Sequence, residues 1–202
     1  MTSSTLKLEP LTLEDAHALS VLWFAAFTDP SMTDVFPNTP GVREWLENSS
    51  RDDLTNKPFQ KYVKIVDTEA IDSQGRPRLV AFAKWDLAMP EDRGRRWPPW
   101  HEDMNGDMAE KFFQILEGNR KRVMGEQKHF YLDTLATHPD YQRRGCGSRL
   151  VQWGCDLADA EGVSAYVDAS KAGAPLYAKH GFVDHSNPGE EVASMARFVK
   201  AD

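Results

Sequence analysis

A strand, a glycine-bearing loop and a helix follow one another in the second half of the chain. Residues 129–137 (HFYLDTLAT) are rich in aromatic and β-branched residues, which favour a strand. The apolar residues between Leu150 and Ala158 recur at helical spacing, and Gly162 is positioned to end that helix. Residues 145–147 (GCG) separate the two elements. Glycines let the backbone approach a ligand closely, and a helix N-terminus carries positive partial charge, so this segment predicts an anion site suited to a pyrophosphate.

The loop does not match the two commonest phosphate-binding motifs. Leu150 stands where the third glycine of a dinucleotide-binding fingerprint would be, and no Gly-Lys-Ser/Thr follows as in a P-loop. Taken without its flanks, the loop is equally consistent with an ordinary strand-to-helix turn.

Helices and strands alternate along the rest of the chain in the order β-α-α-β-β-α-β-α-β-α-β-β. Helices are predicted before residue 29, from Pro40, over 107–123 and over 174–180, with Met108, Phe112, Ile115 and Leu116 as the apolar stripe of the third. Strands are predicted at 6–8, 60–67, 79–85, 165–168, 182–183 and 194–200. We expect residues 90–100 to form an ordered loop because they carry two tryptophans. The pattern predicts an α/β (α+β) fold, a single domain over 1–202 with a mostly antiparallel sheet.

Composition narrows the function classes. Against 31 acidic side chains there are 24 basic ones, so the net charge of −7 disfavours nucleic acid and mildly favours a cationic substrate. Apolar runs are too short to span a membrane, and the N-terminus lacks the apolar block of a signal peptide, which predicts a cytoplasmic or nuclear protein. Cys146 and Cys155 fall on one predicted helix, roughly 13 Å apart, too far for a disulfide, and no histidines complete a zinc site. No metal is therefore expected.

The flanks of the glycine loop carry a more specific signal. Residues 135–147 (LATHPDYQRRGCG) resemble the acetyl-CoA-binding motif of the GNAT superfamily of N-acetyltransferases. Ala169-Ser170, followed by residues 176–182 (LYAKHGF), resembles the second conserved block of that superfamily, in the right order and at a fitting separation. The detailed resemblance covers residues 129–184, the expected cofactor-binding core.

The resemblance implies a GNAT-like fold in which a bulged fourth strand splays from the fifth and pantetheine lies between them. Backbone groups of Leu135 and Thr137 would pair with the pantetheine amides, and backbone N–H groups of residues 143–148 would hold the pyrophosphate. The arginine side chains in the loop either reach the adenosine phosphates or are solvated loop charges, and Ser170 stands where the family commonly has asparagine. The full set of expected cofactor-binding residues is Leu135, Ala136, Thr137, Gln142, Arg143, Arg144, Gly145, Cys146, Gly147, Ser148 and Ser170.

Tyr177 occupies the position where the family often has a tyrosine near the coenzyme sulfur. A phenol of ordinary pKa near 10 can protonate a leaving thiolate, so Tyr177 is the expected catalytic acid. The alternative is a core tyrosine with a satisfied hydroxyl.

Asp133 is the candidate for general base or for ammonium anchor. By the alternation of two along a strand it shares a face with Tyr131 and Leu135, and in related enzymes that face looks into the acceptor site. The alternative is a carboxylate satisfied by backbone donors. Expected acceptor-binding residues are Phe27, Asp29, Tyr131 and Asp133, and further acceptor walls are expected from Phe36, Trp85 and the 97–100 loop.

The predicted function is transfer of the acetyl group of acetyl-CoA to an amine of a small molecule, by direct attack in a ternary complex. A non-catalytic acyl-CoA-binding regulatory module and a protein or peptide N-acetyltransferase are the alternatives. A pure binding module would not need the Tyr177 phenol at the coenzyme sulfur. The sequence leaves the acceptor, the acyl chain length and the oligomeric state open.

Overall fold

Seven strands form one sheet in the order β1-β2-β3-β4-β5-β7-β6 in the computed structural model, which describes residues 5–88 and 92–199. The strands are β1 Leu6–Pro10, β2 Gln60–Ile71, β3 Pro77–Asp86, β4 His129–Thr137, β5 Ser164–Ser170, β6 Val183–Asp184 and β7 Val192–Arg197. The helices are α1 Ala16–Ala26, α2 Pro30–Val35, α3 Pro40–Asn56, α4 Gly106–Met124, α5 Cys146–Glu161 and α6 Ala174–Ala178. Every neighbouring pair is antiparallel except β4 and β5. The predicted fold class, a mostly antiparallel sheet with helices, is confirmed.

Helices cover both faces of the sheet. On one face, which we call the α5 face, Phe130 and Leu132 pack with Leu150 and with Tyr177 of α6. On the other, the α1 face, Phe82 packs with side chains of α1, α3 and the segment before α4. The two apolar clusters lie back to back across β2, β3 and β4.

One helix was missing from the predicted order. Residues 30–35 form α2, in a proline-containing stretch where the sequence predicted no helix. Asp29 is its N-cap and accepts hydrogen bonds from the N–H and the hydroxyl of Ser31, at 3.0 and 2.6 Å. An aspartate followed by proline at the first helical position is a recognised start signal, so the sequence did carry the information.

The predicted stripe of α4 is wrong at two of its four positions. Met108 and Ile115 are exposed, whereas Phe112 is half-buried. Ala109 and Leu116 are buried, and Phe113 packs against the α1-face cluster. Both stripes have helical spacing, so only the position of the sheet decides which is buried.

A β-bulge interrupts β4. Lys84 of β3 pairs with Thr134, whereas its neighbour Trp85 pairs with Leu132, so Asp133 is the extra residue. A bulge shifts the alternation of side chains by one position. Leu135 consequently packs on the α5 face, and the prediction that it shares a face with Tyr131 and Asp133 is wrong.

The last strand is shorter than predicted. β7 ends at Arg197, and Lys200 lies outside the described residues.

The 90–100 segment is ordered where it is described. Residues 90 and 91 lie outside the described residues, but Trp97 is buried.

Candidate functional site

The parallel pairing of β4 and β5 ends halfway along both strands. His129 to Leu132 pair with Ser164 to Val167, after which β4 continues to Thr137 and β5 to Ser170 without pairing to each other. The predicted splay is therefore present. It leaves a stretch of β4 backbone, including Leu135 and Thr137, with no strand on its β5 side, and an extended chain can add to such an edge.

The loop after β4 is shaped like an anion site. Arg143 and Gly145 both have positive φ, 64° and 83°, which turns successive N–H groups toward one side. Gly145 caps α5 without any side-chain hydrogen bond, and the first helical N–H to reach a carbonyl is that of Arg149, 3.1 Å from Gly145 O. Within the described residues, the N–H groups that precede that of Arg149 in the first turn reach no backbone carbonyl and can therefore bind a phosphate.

Gly147 lies where this loop meets the cleft. A Cβ at this position would lie 3.2 Å from Leu176 Cδ2, 3.8 Å from Leu135 Cδ2 and 4.0 Å from Thr137 Oγ1. The structure therefore brings the glycine loop, the free edge of β4 and α6 together. A larger residue would project into the space among them.

The other predicted cofactor residues surround this junction, and several already have protein partners. Gln142, Arg143 and Arg144 are exposed in the loop, and the Arg144 guanidinium lies 4.7 Å from the centre of the Tyr141 ring. Ser148 Oγ lies 2.8 Å from His180 Nε2, and Ser170 Oγ accepts from the N–H of Gly173 at 3.1 Å.

Two further residues of the predicted set are buried. Ala136 packs in the α1-face cluster, which places its side chain away from the cofactor side. Cys146 is buried, and burial raises the pKa of its thiol. It therefore stays neutral and fills space beneath the loop.

Tyr177 stands beside the cleft with its hydroxyl free. Its ring is buried against Phe182, with centroids 6.0 Å apart, and the hydroxyl makes no hydrogen bond to the part of the chain that the structure describes. Burial raises its pKa above the ordinary value, so the phenol is protonated at neutral pH. A Cβ on Gly173 would lie 3.5 Å from both Tyr177 Cε2 and the Ser170 carbonyl, which places the ring near the end of β5.

Asp133 is paired, not free. Arg96 Nε lies 2.6 Å from Asp133 Oδ2, and Arg96 Nη2 donates to the Asp133 carbonyl at 2.9 Å. The Thr134 hydroxyl donates to Asp133 Oδ1 at 2.8 Å. Burial would raise the pKa of Asp133, but the charges of Arg96 and Lys84 outweigh it and hold that pKa below its usual range. A carboxylate in this state is a weak proton acceptor.

A second carboxylate lies next to it, at the point where the strands part. Asp168 of β5 accepts from the Tyr131 hydroxyl at 3.0 Å and from the Tyr166 hydroxyl at 2.8 Å. Burial raises the pKa of Asp168 and outweighs the phenols and the nearby charges of Arg96 and Arg120. Tyr131 also accepts from Arg96 Nη1, at 3.0 Å, so both acids and the arginine form one network.

The segment before α4 is fastened over this network. Arg93 is buried and reaches Asp86 Oδ1 at 3.3 Å and His129 Nε2 at 2.8 Å. His129 Nδ1 lies 2.7 Å from the Gln127 carbonyl, so Nδ1 carries the proton and Nε2 accepts from Arg93. The buried contacts hold Arg96 and Trp97 in place above β4.

Aromatic rings fill the space around Trp97. Phe36, Trp45, Phe113 and Trp97 have neighbouring centroids 5.5 to 6.1 Å apart, and Trp100 stacks on Phe113 at 5.6 Å. The 97–100 segment is thus part of the core of the α1 face. A small cavity of about 100 Å³ remains between this segment and α4, lined by Arg96, Trp97, Phe113, Arg120 and Tyr131 among others.

Like Phe36 and Trp97, three more of the expected acceptor walls are core or capping residues. Phe27 packs on Trp23, with centroids 4.7 Å apart, and the contacts of Asp29 are local to its helix cap. Trp85 is fully buried on the α5 face, where a Cβ on Gly154 would overlap its ring, so Trp85 does not face the acceptor side. Tyr131 and Asp133, in contrast, lie together as predicted.

Sequence reasoning missed Arg96, Asp168 and Arg120. Arg96 is 37 residues from Asp133 and lies in a cluster of arginines flanked by acids, so no local spacing marked it. Arg120 is on the buried stripe of α4 with Leu116, and its guanidinium lies 4.4 Å from the centre of the Tyr131 ring. The sequence alone did not mark Arg120, because it does not decide which stripe of α4 is buried.

Two classes of feature are absent from residues 5–88 and 92–199. No group of three or more His, Cys, Asp or Glu side chains there is arranged to hold a metal ion. None of the helices described has the length and apolarity needed to cross a membrane.

Comparison with known sequences finds a matching family model and two relatives. Residues 110–184 match the model of the family described as the acetyltransferase (GNAT) domain, which confirms the resemblance inferred from residues 129–184. An acetyltransferase of Stachybotrys chartarum is 29% identical over 89 residues, 44% of this chain and 38% of that protein. A probable acyltransferase of Ajellomyces capsulatus is 28% identical over 112 residues, 51% of this chain and 75% of that protein. The chain thus spans well under half of the first relative's length.

Solved structures share the fold over nearly the whole chain. Arylalkylamine N-acetyltransferase 2 from Aedes aegypti superposes with a TM-score of 0.67 at 13% identity, covering 96% of this chain and 99% of its own. NAA60 of Arabidopsis thaliana, solved in complex with acetyl-CoA, gives 0.57 at 15% identity, covering 96% and 98%. The fold is that of the GNAT acetyltransferases.

Proposed function

We propose that this protein transfers the acetyl group of acetyl-CoA to an amine of a small molecule. One observation carries the proposal: β4 and β5 part after Leu132 and Val167, directly beside the uncapped N-terminus of α5. An open strand edge next to a free helix N-terminus suits a ligand that joins amide groups to a pyrophosphate. The family match over residues 110–184 and the acetyl-CoA complex of NAA60 support acetyl-CoA as that ligand.

Different residues around the cleft bind different parts of the cofactor. Backbone groups of Leu135 and Thr137 pair with the pantetheine amides, and the N–H groups of residues 143–148 hold the pyrophosphate. Arg143 and Arg144 are exposed at the loop and supply positive charge toward the adenosine phosphates. Gly147 keeps the passage between loop and strand open.

The transfer needs a donor at the sulfur and a donor at the thioester carbonyl. Tyr177, protonated and free of hydrogen bonds within the described residues, protonates the leaving thiolate. We assign the polarisation of the carbonyl oxygen to backbone N–H groups of β4 near its bulge. A free phenol at this position also argues against a purely regulatory binding module.

The α1 face favours a small acceptor. The segment before α4 and α4 itself cover the network of Tyr131, Asp133 and Asp168 and leave a cavity of about 100 Å³ beside Tyr131, separate from the larger cavity of about 580 Å³ between Trp45 and Trp97. The Aedes neighbour is named for arylalkylamine acetylation, which supports an amine of this size.

The test is release of free thiol from acetyl-CoA in the presence of separate alkylamines, arylalkylamines, amino acids and N-terminal peptides. The proposal predicts amine-dependent thiol release with small amines. Release with peptides alone would replace the acceptor class, and binding of acetyl-CoA without release from any acceptor would favour the regulatory module.

A further inference from the structure

Asp168 occupies a particular position in the cleft. It directly follows Val167, the last residue of β5 that pairs with β4. Its side chain points to the α1 face with that of Tyr131, whereas Val167 and Ala169 point to the α5 face with Tyr177. Asp168 therefore meets the opening between the strands from the side opposite to the glycine loop.

Asp168 also differs from Asp133 in the partners of its carboxylate. Asp133 is ion-paired to Arg96 at 2.6 Å, but Asp168 has no ion pair within residues 5–88 and 92–199. It accepts hydrogen bonds from two neutral phenols and remains partly accessible to solvent. A carboxylate held by neutral donors still has its full charge available to a cation.

Acidic and basic side chains surround the small cavity. The cavity is lined by the cations Arg95, Arg96 and Arg120 and by the anions Glu110 and Glu117. Asp133 and Asp168 join this set through Arg96 and Tyr131. Lys84 adds positive charge near Asp133, so Asp168, which has no ion pair within the described residues, is the carboxylate left for an ammonium group.

We propose that Asp168 binds the ammonium group of an alkylamine acceptor and takes up the proton that the amine must lose before it attacks. The inference rests on the proposed acetyl transfer and names the charge state of its acceptor and its general base. It replaces Asp133 in that role, because Asp133 already has a partner.

The step balances as follows. The ammonium gives one proton to the Asp168 carboxylate and becomes a free amine. The nitrogen lone pair forms the C–N bond to the thioester carbonyl carbon, and the C–S bond breaks. The thiolate takes the proton of Tyr177, and the phenolate regains a proton from the attacking nitrogen. Asp168 then returns its proton to solvent, so one proton is released for each amide and free thiol formed.

The groups facing Asp168 set the pH at which it can work. Tyr131 and Tyr166 donate to it, and Arg96 and Arg120 add positive charge from the segment before α4 and from α4. Burial outweighs these groups and raises the pKa of Asp168, which brings it nearer to the pH range in which a base is useful.

The experiment compares wild-type protein with Asp168→Asn and with Asp156→Asn, an exposed carboxylate on α5 that serves as the matched control. The acceptor is 2-phenylethylamine, and kcat and KM are measured from pH 6 to pH 10 together with acetyl-CoA affinity by calorimetry. At pH 7, kcat/KM of Asp168→Asn should fall on the order of 10²–10³-fold, with acetyl-CoA affinity unchanged. The deficit in kcat/KM should shrink about tenfold for each unit by which the pH is raised. Below the amine pKa of about 10, the fraction of free amine in solution rises tenfold per pH unit, and this free amine does not need the base.

A second variant tests the positioning of the base. Tyr166→Phe removes the donor at 2.8 Å from Asp168 Oδ1 without changing the buried volume. It should move the acidic limb of the kcat/KM profile to higher pH, and a profile that does not move would contradict the role of Asp168.

The outcomes separate this inference from the proposed function. Thiol release by the wild type with equal activity in Asp168→Asn, or with a deficit that is constant with pH, overturns this inference alone. A wild type that binds acetyl-CoA but releases no thiol with any amine overturns the proposed function and this inference together.

Discussion

Leu132 of β4 and Val167 of β5 are the last partners of the only parallel pair in the described sheet. Beyond them the two strands separate, and Asp133, the bulged residue, directly follows Leu132. Asp168 directly follows Val167 on the other strand. The separation thus opens a cleft and places a carboxylate on each side of its apex.

Replacing Tyr177 with phenylalanine removes the proposed acid and leaves its ring in place. We expect kcat to fall about 10- to 100-fold, with acetyl-CoA affinity unchanged, because the free hydroxyl contributes little to packing. Steady-state kinetics and calorimetry measure the two effects separately. An unchanged kcat would remove Tyr177 from the role of acid.

Gly147→Val should abolish acetyl-CoA binding, because its side chain projects toward Leu176, Leu135 and Thr137. Gly118→Val on α4 is the matched control, since a Cβ there meets nothing within 4 Å. Calorimetry on both variants makes the comparison, and circular dichroism verifies folding. Wild-type affinity in a folded Gly147→Val would contradict the assigned cleft.

Much of the cleft could be predicted from the sequence because its parts are local. The strand at 129–137, the glycine turn and the helix ending at Gly162 are encoded by neighbouring residues, and the structure has each of them. The family resemblance implied a bulge in this strand, but its position at Asp133 depends on how β3 pairs, which no local pattern reports. That is why the face of Leu135 was predicted wrongly.

The acceptor side depends on long-range contacts. Arg96 neutralises Asp133 from a loop 37 residues earlier, and the buried stripe of α4 is decided by the sheet beneath it. Periodicity finds an amphipathic helix, but here it offered two competing faces. The ion pair and the orientation of α4 therefore had to come from the structure.

The pair of Arg96 and Asp133 should be coupled in stability. Arg96→Met leaves the Asp133 carboxylate buried without its partner and should lower the free energy of unfolding by roughly 3 kcal/mol. Adding Asp133→Asn removes the stranded charge and should restore much of the loss. Urea denaturation of the two single variants and the double variant gives the coupling, and additive effects would show that the pair does not interact.

His129 should make the protein sensitive to acid. Burial, together with the charges of Arg93 and Arg120, lowers the pKa of His129 to about 4, while its ordinary value is 6.5. Between pH 6.5 and pH 4 the unfolded state takes up a proton on this histidine and the folded state does not. The neutral His129 ring therefore contributes its full stability above pH 6.5, and this stability is lost as the pH falls through 4. The loss amounts to about 3 kcal/mol.

His129→Gln keeps an acceptor for Arg93 and removes the titrating ring. Its stability should fall less than that of the wild type between pH 7 and pH 4, as measured by urea denaturation at each pH. Parallel curves for the two proteins would show that His129 is not the acid-sensitive group.

The most direct measurement is a calorimetric titration of the wild-type protein with acetyl-CoA. A saturable one-to-one binding curve is the predicted result, because the cleft between β4 and β5 and the N-terminus of α5 form a single continuous site. A titration with no heat beyond dilution would contradict the account, since the cleft would then lack the ligand on which every later step depends.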